Sequence, residues 1–308
     1  MLLAGAVAGS PPSAARETPP AQPGATPDRS GAEVRSPATP QATSRPGAQR
    51  PRKPVVVDAI GDSITAGYVR SGDMAGHPAE FDPAGGYPGR LDALLDDRTL
   101  VRQRGAGGST LASWTAEPRG KPADLEALLR SLWPDLPSTA RPPRPRQTAL
   151  SWTLDVDRPD VVILMLGVND LWLDALAGGP PDARGAARGV ARAATSARFR
   201  GRRVLVATLL PNERDPEGAI EEFNRRLCEL EPDCIRLDRD FARSGGSALL
   251  GDEIHPSPAG HQVIAESMAD ALVAAGISHR RTPDPGGADA PARAGDGATG
   301  PDTPAAAH

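Results

Sequence analysis

Residues 161–166 read Val-Val-Ile-Leu-Met-Leu, six apolar side chains in succession. Side chains along a strand alternate between two faces, so a strand with no polar residue must be covered on both. That is the condition of a strand in a parallel sheet between helical layers. Other short runs surround it in the chain: Val55–Ile60 (VVVDAI), Thr99–Gln103, Val204–Leu210 (VLVATLL) and the brief Ile235–Leu237. Helical patterns separate them. Five such strands predict an α/β fold, a parallel sheet with crossovers on both faces.

The later helices carry legible starts and stops. Asp215-Pro216 and Ser257-Pro258 each pair an N-cap residue with Pro at the first helical position. Ile220, Phe223, Leu227 and Leu230 then make one apolar stripe, and Ile264, Met268 and Leu272 another that Gly276 closes. Residues 184–198 form an Ala/Arg-rich helix with a thin apolar face. Two stretches fit neither pattern. Residues 69–86 read as a long Gly/Pro/Asp loop. Residues 113–150 hold a short helical piece (ADLEALLRSLW) followed by surface loop. Long insertions on such a core are sites of binding loops, lids or tolerated surface.

Residues 1–53 hold ten Pro and eleven Ala and no aromatic residue, and 281–308 are similarly poor. Segments like these cannot offset the entropy of ordering, so both are expected to be disordered, flanking a domain at 54–280. The net charge is −4, and the acid excess lies in that domain. An acidic core without a basic stripe excludes nucleic acid as the main partner. No apolar run approaches the ~18 residues of a membrane span. A monomer is expected. Met1–Ala8 is apolar, followed by small residues. It reads either as the remnant of an export signal leading into a Pro-rich spacer or as a plain chain end. Cys228 and Cys234 match no zinc or redox spacing. A disulfide between them would pin a helix to the next strand and agree with secretion to the cell envelope or beyond. Two buried thiols are the alternative.

Polar residues of a particular kind follow the strands. The first runs into Gly61-Asp62-Ser63-Ile64-Thr65. Ser63 therefore sits at the carboxyl end of a parallel strand, where open α/β sheets place their ligands. Gly105-Ala106-Gly107-Gly108-Ser109 follows the second, and glycine lets backbone N–H groups approach a ligand closely. Gly167-Val168-Asn169-Asp170 follows the third; the Asn169 amide is an uncharged donor of the kind a tetrahedral oxyanion needs. Asp252-Glu253-Ile254-His255 precedes the last helix. His255 can take and return a proton near neutrality, and Asp252 can hold its ring in one tautomer. Taken singly, each block also reads as a turn, a cap or a surface residue.

Their order is what joins them. The four blocks resemble those of the SGNH hydrolase superfamily, which includes the GDSL lipases and esterases. The match runs over about residues 55–275, with Gly61-Asp62-Ser63-Ile64, the Gly block at Gly108, Gly167-Val168-Asn169-Asp170 and Asp252-Glu253-Ile254-His255-Pro256. Ile64 replaces the family's Leu, Gln103 stands where Asn often opens the Gly block, and Gly105 and Gly107 compete with Gly108 for its place. The insert at 113–150 is long for the family. No Gly-x-Ser-x-Gly elbow is present.

The resemblance implies a three-layer α/β/α, flavodoxin-like fold and a serine esterase that passes an acyl group to water. Ser63, Asp252 and His255 would be catalytic. The N–H groups of Ser63 and Gly108 and the side chain of Asn169 would form the oxyanion hole. No metal or cofactor is implied. The substrate stays open between a lipid or short-acyl ester and an O-acetylated polysaccharide, and a non-catalytic binding module on the same fold is the reading from another class. Trp114, Trp133 and Trp152 flank or lie in the insert and either line a substrate pocket or pack the loop. His77 and His261 read as bystanders.

Overall fold

A computed structural model describes residues 53–72, 77–117 and 122–282. The two flanking segments expected to be disordered lie almost wholly outside these residues.

Four parallel strands form the central sheet: β1 (Val55–Gly61), β4 (Thr99–Gly105), β5 (Val161–Met165) and β6 (Arg203–Val206), in the spatial order β4-β1-β5-β6. β5 is buried at every residue. Its alternate side chains enter two separate cores, which is why the run carries no polar residue. Val162 and Leu164 share one core with Ile60, Ala187, Val190, Phe223 and Leu227. Val161 and Ile163 share the other with Val57, Leu91, Ile264, Met268 and Leu272. The first core lies beneath α4 (Ala149–Asp157), α6 (Ala183–Phe199) and α7 (Ala219–Leu230), and the second beneath α1 (Gly86–Leu94) and α9 (Pro258–Ala274). The result is the expected α/β/α sandwich. The thin stripe of α6 is buried through Ala187, Ala194 and Ala197, small residues that let a helix sit close to its neighbours.

The sheet is one strand shorter than expected. Ile235 makes a single parallel bridge to Ala207, and Leu237 already begins α8 (Leu237–Ser244). The bridge is made by Ile235 N–H to the Val206 carbonyl at 2.8 Å and Thr208 N–H to the Ile235 carbonyl at 3.0 Å; beyond it the Thr208 hydroxyl turns to the Asp238 carboxylate of α8 at 2.9 Å. β6 likewise stops at Val206 rather than running to Leu210.

Two other expectations shift. Within 69–86 the chain makes a small antiparallel hairpin, β2 (Tyr68–Arg70) with β3 (Glu80–Phe81), where an irregular loop was expected. Pro216 opens only a 3₁₀ turn. Glu217 and Gly218 then take positive φ, and α7 starts at Ala219, with the Asp215 carboxylate accepting from Ile220 N–H at 2.9 Å. The start at Ser257 is as expected: its hydroxyl accepts from Gly260 N–H at 3.2 Å. Cys228 and Cys234 are joined as a disulfide, Cα atoms 5.4 Å apart, which ties α7 to the chain just before Ile235.

The insert is bolted to the sheet by charge and by indole. Arg104, 1% exposed at the end of β4, donates to Asp157 of α4 at 2.7 Å and to both oxygens of Asp135 at 2.8 and 3.0 Å. Its guanidinium lies 5.7 Å from the Trp133 ring centre. Trp133 in turn donates to the Gly105 carbonyl, and Trp152 to that of Arg141. All three tryptophans of this region are buried with their N–H groups bonded inside the protein. They pack the insert onto the sheet. No helix among the described residues is long and apolar enough to cross a membrane.

Candidate active site

β1 has neighbours on both sides that follow it in sequence, so the chain winds outward in two directions from it. The loops leaving β1 and β5 part at that point and open a crevice at the carboxyl edge. Ser63 leaves β1 there, and Asn169 sits in the first turn of α5 (Val168–Leu176), which follows β5.

Ser63, His255 and Asp252 come together. Ser63 Oγ lies 2.9 Å from His255 Nε2, and His255 Nδ1 lies 2.9 Å from Asp252 Oδ2. Ser63 and His255 are buried, and Asp252 is partly so. Burial by itself would raise the Asp252 pKa. Hydrogen bonds from the backbone N–H groups of His255, Ser71 and Ile254 and from the His255 ring outweigh it and hold the group at about 2. The carboxylate is thus ionised and its orientation fixed before any substrate arrives. No group of three potential metal-ligating side chains occurs among the described residues.

The Gly block and the Asn block meet across the crevice. Asn169 Nδ2 donates to the Ser109 carbonyl at 2.8 Å. The Asp170 carboxylate accepts from Leu111 N–H at 2.9 Å, so adjacent residues of one block both grip the turn that follows β4. Ser109 Oγ donates back to the Gly61 carbonyl at 3.2 Å. Within this turn Gly105 cannot be replaced: a Cβ there would strike the backbone of Asp62, Thr65 and Ala66. Gly108 is different. Its φ is +70°, a left-handed conformation, and the space where a side chain would point is open.

Three residues at this site carried no sequence signal. Ser71, just after β2, gives its N–H to Asp252 at 2.9 Å. Tyr68 sets its ring 5.7 Å from that of His255, centre to centre. His261, expected to be a bystander, is fully buried and bridges two backbone groups. Its Nδ1 accepts from Tyr87 N–H at 3.2 Å, which leaves Nε2–H to donate to the Tyr68 carbonyl at 3.0 Å. Burial lowers its pKa. It is a strut for the segment that carries Tyr68. Asp62, beside the serine, is also buried; burial pushes it up to about 7, while Ile64 N–H donates to it.

A family model, the GDSL-like Lipase/Acylhydrolase family, matches residues 59–263, which span all four blocks. The chain belongs to this family. It is a carboxylic ester hydrolase, built on the SGNH hydrolase fold. Several solved structures resemble this acylhydrolase. One is the acetyl xylan esterase AlAXEase, 23% identical over 71% of this chain and 100% of that one, with a TM-score of 0.45. Another is a putative GDSL-like lipase from Parabacteroides merdae, 17% identical over 73% and 97%, TM-score 0.47. A third is Axe2, an acetylxylan esterase from Geobacillus stearothermophilus, 20% identical over 71% and 94%, TM-score 0.45. No curated protein is significantly similar to the acylhydrolase.

Proposed function

We propose that the acylhydrolase is a serine esterase that works through an acyl-enzyme, with Ser63 as nucleophile, His255 as general base and acid, and Asp252 as the group that orients His255. The observation that carries this reading is the unbroken hydrogen-bonded chain from Ser63 Oγ through His255 to Asp252, with 2.9 Å at both links.

Asp252 accepts a proton-bearing Nδ1, so Nε2 is the free base that faces Ser63. As Oγ attacks the ester carbonyl carbon, its proton passes to Nε2. Collapse of the tetrahedral intermediate breaks the carbon–oxygen bond to the alcohol, and Nε2 returns the proton to the departing oxygen. Water then attacks the acyl-Ser63 carbonyl by the same route and releases the acid. The intermediate's oxyanion is bound by the N–H groups of Ser63 and Gly108 and by Asn169. One amide hydrogen of Asn169 is held by Ser109; the second is the one assigned to the oxyanion. The left-handed backbone and open flank of Gly108 support a close approach of substrate there.

We place the catalytic unit at residues 54–280, with tether or spacer segments outside it. The Cys228–Cys234 disulfide supports work in an oxidising compartment beyond the cytoplasm.

The test is Ser63→Ala assayed on aryl esters, with a fluorophosphonate label as a second readout. Hydrolysis and labelling should both vanish while the melting curve stays put. Undiminished hydrolysis in the variant overturns the assignment.

A further inference from the structure

We propose that the cavity between the Ala106–Ser109 turn and α3 (Pro122–Leu132) is the acyl pocket, and that it takes a straight apolar chain of medium length. This rests on the assignment of Ser63, His255 and the oxyanion donors above.

The cavity measures about 270 Å³. One wall is the turn that carries Gly108, and the other is α3. Trp114 and Trp133 lie beneath, rings stacked 5.5 Å apart. Their polar atoms are already committed: Trp114 Nε1 donates to Ser109 Oγ and Trp133 Nε1 to the Gly105 carbonyl. The hydroxyl of Ser113, the one polar side chain besides Ser109 on this lining, accepts from Thr110 N–H at 3.1 Å. What remains facing the space is chiefly hydrocarbon, which suits an aliphatic chain and gives a sugar ring little to bond.

α3 itself points to a ligand. Leu125, Leu128, Leu129 and Leu132 follow helical spacing and make one stripe. Leu129 is buried at 3%, whereas Leu128 and Leu132 are 55% and 39% exposed. One edge of the stripe therefore serves the core. The other surrounds an open apolar space beside the turn bearing a proposed oxyanion donor, and all four leucines line it.

The position also says which half of the ester enters. The alcohol must leave within reach of His255 Nε2, which protonates it. The lining contains no residue of the Asp252–His255 loop and none of the Ser63–Tyr68 segment. The group that can extend away from His255, past Gly108, is the acyl chain. Taking each methylene to fill roughly the 30 Å³ share of a water molecule, the space suits a chain on the order of eight or nine carbons.

The experiment uses the full chain and p-nitrophenyl esters from acetate through octanoate to hexadecanoate. For the native protein kcat/KM should rise from acetate to octanoate and fall at hexadecanoate. Leu128→Asp and Leu132→Asp should each lower the octanoate-to-acetate ratio at least about tenfold. Leu128→Trp, which fills the space without adding charge, should move the optimum to shorter chains. A native optimum at acetate, or ratios unchanged in all three variants, overturns the pocket and leaves the serine mechanism standing. A native protein inactive on every ester, with Ser63 unlabelled by fluorophosphonate, overturns both.

Discussion

Asp252 Oδ2 is shared at 2.9 Å by two donors, the His255 ring and the backbone N–H of Ser71. Oδ1 is shared as well, by Ile254 N–H at 2.8 Å and His255 N–H at 2.7 Å. A carboxylate surrounded by donors has no use for a proton and no freedom to turn. The hairpin, through Ser71 just after β2, is thus one of the clamps on the proposed orienting residue.

Asp252→Asn places an amide where only acceptors fit. The His255 ring should then lose its tautomer, and kcat should fall by about 10⁴, measured on an aryl ester. The same carboxylate sets an acid limit on stability. Its pKa is 3.8 unfolded and about 2 folded, so the unfolded chain takes up the proton first. The contribution is whole above about pH 4 and is lost as pH falls towards 2. It should amount to about 1–2 kcal/mol after screening by solvent. Denaturant melts of native and Asp252→Asn protein should converge across that interval.

Asn169→Ala removes a donor assigned to the oxyanion, together with its bond to the Ser109 carbonyl. The expected result is a fall in kcat of about 10²–10³ with KM little changed, read from steady-state kinetics. A rise in KM at constant kcat would instead make Asn169 a ground-state contact.

Arg104→Met leaves Asp157 buried with its closest partner gone. Removing one member of such a pair costs about 3–5 kcal/mol, so the midpoint of denaturation should drop sharply. Adding Asp157→Leu should recover much of that loss. A single variant as stable as the native protein would show that the insert does not depend on this bolt.

His261 should add a second pH dependence, in a higher range. Its folded pKa lies below the ordinary 6.5 because burial disfavours the imidazolium. The unfolded chain therefore binds the proton first, and the contribution is whole above about pH 6.5 and lost as pH falls below it. The stability gap between native protein and His261→Asn should be widest near neutrality and should close towards acid pH. A constant gap would mean that His261 packs but is not coupled to protons.

How much was legible follows from what each feature is made of. The strands β1 and β5 and the stripes of α7 and α9 are runs of apolar side chains, and a period can be seen in a sequence. The chemistry-bearing residues stand just beyond strand ends or before the last helix, so chain order brought them into one field of view. The fifth strand shrinks to one bridge because Ile235–Leu237 is too short to hold its state: Leu237 is the first residue of α8, and Asp238 in that helix's first turn bonds the Thr208 hydroxyl. α4 went unrecognised because Ala149–Leu154 is buried all round and shows no polar face. Ser71 and His261 were invisible for another reason. Ser71 holds Asp252 through its main-chain N–H, and the partners of His261 are main-chain groups of Tyr68 and Tyr87, and a backbone N–H or carbonyl has no letter in a sequence.

The Ser63–His255 contact spans 192 residues of chain. On a ribosome adding about 5–20 residues per second, the serine is made roughly 10–40 s before its base. Throughout that interval the proposed nucleophile has no partner to take its proton. A product that stops before His255 would lack the proposed base altogether, so on this reading the two halves of the chemistry meet only late in synthesis.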